Sequence, residues 1–178
     1  MKRIFFVLAL VIASCNSVQV SFDYDKSAVF TKYKTYSFTD ESMKLGIPEL
    51  TRNRVIAAVE KEMAARGFTK AASPDVQVDL ITKLNQRQEA TATSTGGGMY
   101  GRPYAYGGGF TTTRIDVNTY IEGTLFINIV DKAQNKLVWS GRGTKTLDEN
   151  ASAEKQEANI NNAVKLIFSR YPVKAATK

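Results

Sequence analysis

Two stretches of clean alternation constrain this chain more than any other feature. Val76, Val78, Leu80, Thr82 and Leu84 take every second position of the first. In Tyr120–Val130, Ile121, Leu125, Ile127 and Ile129 share one side, with Tyr120, Glu122, Thr124, Phe126 and Asn128 opposite. A side-chain period of two predicts half-buried strands, each laying one face on a core. Between them the chain changes character from Thr91 to Gly109, where Thr and Ser give way to Gly96-Gly97-Gly98-Met99-Tyr100-Gly101-Arg102-Pro103-Tyr104-Ala105-Tyr106-Gly107-Gly108-Gly109. Such a segment buries too little apolar surface to fix its own backbone. It predicts a flexible Gly/Tyr-rich loop over 94–109, with the second strand starting near Phe110.

The remaining pattern supplies two helices and more strands. Val18, Val20, Phe22 and Tyr24 alternate, and Lys34–Phe38 reads as a short strand, with a turn or short helical turn between them. Pro48–Arg66 predicts a helix with Val55, Ile56, Val59 and Met63 as its apolar stripe. Gly67-Phe68 is its stop, a left-handed glycine followed by an apolar residue folding back. Asp131–Asn135 predicts a hairpin connection into a return strand at Leu137-Val138-Trp139, and Gly141 and Gly143 mark a bulge or a close backbone approach. A second helix, Ser152–Tyr171, carries Ile160, Ala163, Val164, Ile167 and Phe168 and stops at Pro172. The expected fold is α+β: an antiparallel or mixed β-sheet with two amphipathic helices packed on one face.

Composition excludes several kinds of chemistry. With no His and one Cys, the chain builds no Ser-His-Asp or Cys-His nucleophile, no His-ligated metal site, no intrachain disulfide and no Fe–S cluster. Carboxylate, Lys, Tyr or Ser chemistry remains, or a hard cation on oxygen ligands. The formal charge of +7 is spread along the chain, without the aromatic motifs of RNA binding, so no nucleic-acid partner is expected.

The N-terminus states a location. Lys2 and Arg3 precede an apolar run, Ile4–Ala13, too short to span a bilayer, and Ile12-Ala13-Ser14-Cys15 sets small residues before the sole cysteine. This arrangement resembles a bacterial lipoprotein signal with its lipobox; the alternatives are an ordinary cleaved signal with an incidental Cys and a buried N-terminal strand. The resemblance implies that residues 1–14 are removed and that Cys15 is acylated. Asn16 rather than Asp follows, which favours the outer membrane, facing the periplasm. Residues 15–178 then form a single domain.

Three further stretches carry a second resemblance. They are Asp23-Tyr24-Asp25 leading into Phe30-Thr31-Lys32-Tyr33-Lys34-Thr35-Tyr36-Ser37-Phe38, then Tyr120–Leu125 with Val130-Asp131, and Lys136-Leu137-Val138-Trp139-Ser140-Gly141. In this order they resemble the bacterial lipoproteins of domain of unknown function 4136. The resemblance implies a compact α+β lipoprotein domain; it brings no activity and no catalytic residues.

The candidate sites are few. Asp23 and Asp25 could meet a hard cation, but no glycine-punctuated acidic loop accompanies them, and a polar strand end is the expected role. Ser152-Ala153-Glu154-Lys155 has the Ser-x-x-Lys spacing of penicillin-binding enzymes without their companion motifs, so Ser152 is expected to cap a helix. Gly141–Thr146 lacks the spacing of a phosphate loop. The best candidate is the Gly/Tyr loop, where Met99, Tyr100, Arg102, Tyr104 and Tyr106 can present stacking and hydrogen-bonding groups to a glycan or protein. The expected function is a non-catalytic, lipid-anchored envelope module, with no cofactor and no metal. It binds the membrane through Cys15 and an envelope protein or glycan through this loop. Two alternatives are an envelope glycan hydrolase using a carboxylate pair and a carrier of a small apolar ligand.

Overall fold

The computed structural model describes residues 18–96 and 111–175. Six strands form one mixed sheet: β1 (Gln19–Tyr24), β2 (Thr35–Phe38), β3 (Thr69–Lys70), β4 (Val76–Gly96), β5 (Thr111–Asp131) and β6 (Lys136–Thr146). Among the described residues there are also two helices, α1 (Glu49–Ala65) and α2 (Ala153–Phe168), with short 3-10 turns at Phe30–Lys32 and Ser42–Lys44. The order across the sheet is β1-β6-β5-β4-β2-β3. β1, β6, β5 and β4 run antiparallel in turn, whereas β2 lies parallel to both β4 and β3.

The alternation read from the sequence decides which side the helices cover. Val78 pairs with Ile129 and Leu80 with Ile127, and Ile129 and Ile127 pair in turn with Trp139 and Gly141. Directly opposed residues of an antiparallel pair share a face. Val76, Val78, Ile127 and Ile129 are fully buried on that face under Val59, Met63, Val164, Ile167 and Phe168 of the helices. The opposite face is a polar lattice. Asp79 accepts from Thr39 and Asn128, Ser140 donates to Asn128, and Thr124 meets Thr144.

Local stops follow their residues. The amide of Gly67, at φ 81°, donates to Ala64 and that of Phe68 to Met63, the paired bonds that end a helix at a left-handed residue. Phe68 thereby folds back into the core. Ser152 caps α2, its hydroxyl accepting from the Lys155 amide. The second helix ends at Phe168, short of the expected Tyr171. Arg170 and Tyr171 tighten into bonds to Ile167 and Phe168, because a residue before proline disfavours helical backbone. Tyr171 is carried under the helices by that turn and packs edge-on against Trp139, Phe30 and Phe168.

One expected boundary needs correction. Residues 94–96, read as loop, belong to β4 and pair with Thr113, Thr112 and Thr111. The bulge falls at Val138 of β6, between the pairs Ile129–Trp139 and Val130–Leu137, and of the two roles expected for the glycines the second holds. Gly141 and Gly143 serve close approach. A Cβ on Gly141 would stand 2.3 Å from Trp139 Cη2 and 2.6 Å from Ile167 Cγ2.

Candidate functional site

Cys15 and the loop residues Met99, Tyr100, Arg102, Tyr104 and Tyr106 lie outside the described residues. The structure shows what carries them. β4 and β5 stay paired from Val76–Asp131 out to Gly96–Thr111. β6 stops at Thr146, opposite Glu122, so residues 86–96 and 111–121 continue as a two-stranded ribbon. Eleven residues per strand make an arm of roughly 35 Å. The Gly/Tyr segment therefore joins the far end of an arm. Along the ribbon Arg87 pairs with Glu122 at 3.0 Å and Arg114 with Asp116 at 3.2 Å, both exposed pairs of small energetic weight.

The sheet's N-terminal edge presents aromatics. Phe22 and Tyr24 stack with ring centroids 6.3 Å apart, and both remain about two-fifths exposed. They occupy the helix-facing side of β1 opposite Gly141 and Trp139. Tyr24 meets Phe30 edge-on, which continues through Tyr171 to Trp139. The edge pair is thus the exposed end of an aromatic row reaching into the core.

The carboxylates are committed to structure. Asp25 takes an ion pair from Lys136 and bonds from the Ser27 hydroxyl and amide, which hold it well below the usual carboxylate range. Asp23 accepts from the adjacent Tyr24 amide. Asp75 receives the amides of Lys34 and Thr35, pinning the start of β2 to the start of β4 and lowering its own pKa. Among the described residues, no group of three or more Cys, Asp or Glu converges as a metal site.

Asp131 is the buried charge that sequence reasoning passed over. It sits at the end of β5, its side chain about 3% exposed. Burial opposes its ionisation, but the Gln134 amide, the Tyr33 hydroxyl at 2.8 Å and Lys32 Nζ at 3.1 Å outweigh that cost and hold the carboxyl at about 2. It staples the Phe30–Lys32 turn to the β5–β6 hairpin. Tyr33 and Asp131 stand 98 positions apart, so no local signal announces the contact. Its role is architectural, because its oxygens are already occupied by three donors from the chain.

A shallow groove of about 390 Å³ opens at the other sheet edge, where β3 leaves β2. Tyr36, Phe38, Met43 and Lys70 line it, and Lys70 is held across Phe38 while paired with Glu60. Ser152 and Lys155 are engaged as a cap and an ion pair to Asp148, which leaves that Ser-x-x-Lys spacing a helix start. Gly141–Thr146 is interior β6 strand.

Taken together, the fold is a one-sided α+β domain: a six-stranded mixed sheet, two helices on one face and an extended hairpin. The model of the family "Domain of unknown function (DUF4136)" matches residues 20–173, and the chain belongs to that family. No curated protein matches. Among solved structures, a PDZ domain protein from Parabacteroides distasonis is similar at 14% identity and a TM-score of 0.53. That match covers 88% of this chain and 36% of the other, so this chain spans about a third of that protein's length. A PelC dodecamer from Paraburkholderia phytofirmans is similar at 12% identity and a TM-score of 0.50, over 90% of this chain and 100% of that one. At these identities the likeness is one of fold.

Proposed function

We propose that this protein is a non-catalytic, lipid-anchored module of the bacterial envelope, held at the outer membrane through Cys15 and binding a partner through the tip of its ribbon. The observation that carries the reading is the ribbon itself. The core takes β4 only as far as Leu80, yet the strand runs on to Gly96, and its last eleven residues, beyond the reach of β6, form an arm with β5 alone. Strands outside the core are justified by what they hold out, and here they hold out four aromatic or apolar groups and an arginine among glycines.

The alternatives find less support. Among the described residues, Trp139, Phe168, Met63, Ile127 and Ile167 are all fully buried between sheet and helices, which favours a packed core over a carrier cavity. The acidic pair singled out in the sequence, Asp23 and Asp25, is bonded within the chain. PelC, described as a dodecamer, is a precedent for this fold in an assembly.

Two variants test the proposal. Cys15→Ala is expected to release the protein from membranes or leave its signal uncleaved; unchanged mature mass and membrane retention contradict the anchor. Replacing Gly96–Gly109 by Asn-Gly is expected to keep thermal unfolding unchanged while envelope partners are lost. Retained partners contradict a binding tip.

A further inference from the structure

We infer that the β4–β5 ribbon is itself a second membrane contact, with its uncharged side resting on the lipid surface in which Cys15 is anchored. The inference rests on the anchor reading above and extends it to residues of the described ribbon.

Register sorts the ribbon's residues into two sides. Leu84, Gln86, Gln88, Ala90 and Ala92 of β4 share one side with Ile115, Val117, Thr119 and Ile121 of β5. No charge lies on that side. Every charge of residues 84–94 and 113–122, namely Arg87, Glu89, Arg114, Asp116 and Glu122, lies on the other. The uncharged side is also wet: Leu84, Ile115 and Val117 are each more than half exposed. Complete segregation of charge on an otherwise unsupported ribbon is the pattern of a segment lying at an interface, as in amphipathic helices at membranes.

Direction identifies what that interface is. Gln19 pairs with Thr144, Thr144 with Thr124, and Thr124 with Lys83. The ribbon runs on from this line for thirteen residues, roughly 40 Å, in the direction from which the N-terminal segment enters. Cys15 lies four residues before Gln19, so its tether reaches at most about 14 Å. An arm nearly three times longer than the tether, leaving the same end of the sheet, cannot clear the bilayer. It lies along the surface, and the side without charges is the one that can lose water without leaving an ion unsolvated. A second copy fits less well. Two strands about 4.8 Å apart make a stripe roughly 10 Å wide, so the ribbon offers about 350 Å² per partner where a stable interface buries about 800 Å².

The test uses the full mature chain in vesicles of phosphatidylethanolamine and phosphatidylglycerol. Val117→Cys and Asp116→Cys are each labelled with an environment-sensitive fluorophore; acylation leaves Cys15 unreactive. Ile115→Cys repeats the first position, and Trp139 fluorescence reports that each variant is folded. The label at 117 or 115 is expected to shift to the blue and to be quenched by nitroxide-bearing lipid about fivefold more than the label at 116. Equal exposure at 115, 116 and 117 overturns the inference. So does protection at 117 that lipid nitroxides do not quench and that grows with protein density, which assigns the side to a second copy. Intact mass separates the two claims. An unacylated chain overturns the anchor and this inference together; an acylated chain whose labels all stay in water overturns the ribbon contact alone.

Discussion

Replacing Gly141 by alanine strikes the point where sheet and helices meet most closely. The new Cβ would stand 2.3 Å from Trp139 Cη2 and 2.6 Å from Ile167 Cγ2, about 1 Å inside ordinary contact on both sides. Neither neighbour has room to yield. Trp139 is stacked on Phe168 at 5.8 Å and met edge-on by Tyr171 at 5.3 Å, and Ile167 is fully buried on α2. The helix must therefore lift from the sheet or the indole must leave its place, at a cost of about 2–3 kcal/mol. For a domain of this size that lowers Tm by about 5–10 °C. Two other glycines serve as controls. Gly67→Ala meets no atom within 4 Å but keeps φ at 81°, and is expected to cost about 1–2 kcal/mol through backbone strain alone. Gly46→Ala also meets no atom, at a φ outside the left-handed region, and should change stability by under about 1 kcal/mol. Urea unfolding followed by the fluorescence of Trp139, the sole tryptophan, measures all three. A Gly141→Ala protein as stable as Gly46→Ala would refute the packing of Trp139 over the β6 backbone.

Asp131→Ala should cost about 1–3 kcal/mol by stranding the buried Tyr33 hydroxyl. With its pKa lowered from 3.8 to about 2, ionised Asp131 stabilises the fold fully above about pH 5 and loses that contribution as pH falls from about 4 to 2, so Asp131→Asn should show a shallower acid limb in a pH series of Tm. The Tyr171 hydroxyl is buried without a hydrogen-bond partner among the described residues, so Tyr171→Phe should leave stability unchanged or raise it by up to about 1 kcal/mol in urea unfolding. Arg66 joins the two helix ends, pairing with Glu62 and donating to the Phe168 carbonyl at 2.8 Å. Arg66→Lys should therefore lose about 1–2 kcal/mol despite keeping the charge, and equal stability would show that the forked geometry is unimportant.

The body of the domain was legible because its period matched its burial. Val76, Val78, Leu80, Ile127 and Ile129 alternate in sequence and lie together under the helices, and the stripe Val55, Ile56, Val59, Met63 is the buried side of α1. The ribbon was less legible. Its β4 half is mostly polar, from Gln86 to Thr95, and a solvated strand has no apolar alternation to display. Thr91, Thr93 and Thr95 at every second position, and Ile115 with Val117 opposite, were its faint signals. The bulge was hidden in the run Leu137-Val138-Trp139. Strict alternation would have put Leu137 and Trp139 on one face, whereas the register shift leaves Leu137 half exposed and Trp139 buried. The Asp131 staple was illegible for a different reason: its partners come from Lys32 and Tyr33, and only the sheet order brings them near. The candidate site was legible as composition, a Gly/Tyr segment, but the arm that holds it was not.

Photo-crosslinking in intact cells tests most directly whether the ribbon tip binds. A photoreactive phenylalanine analogue is placed at Tyr104 in the Gly/Tyr segment and, for comparison, at Leu166 on the exposed side of α2. Discrete envelope adducts from position 104, absent from 166 and abolished with Cys15→Ala, are the expected result. Identical adducts from both positions, or none from 104 in a protein that is folded and membrane-bound, would contradict the account.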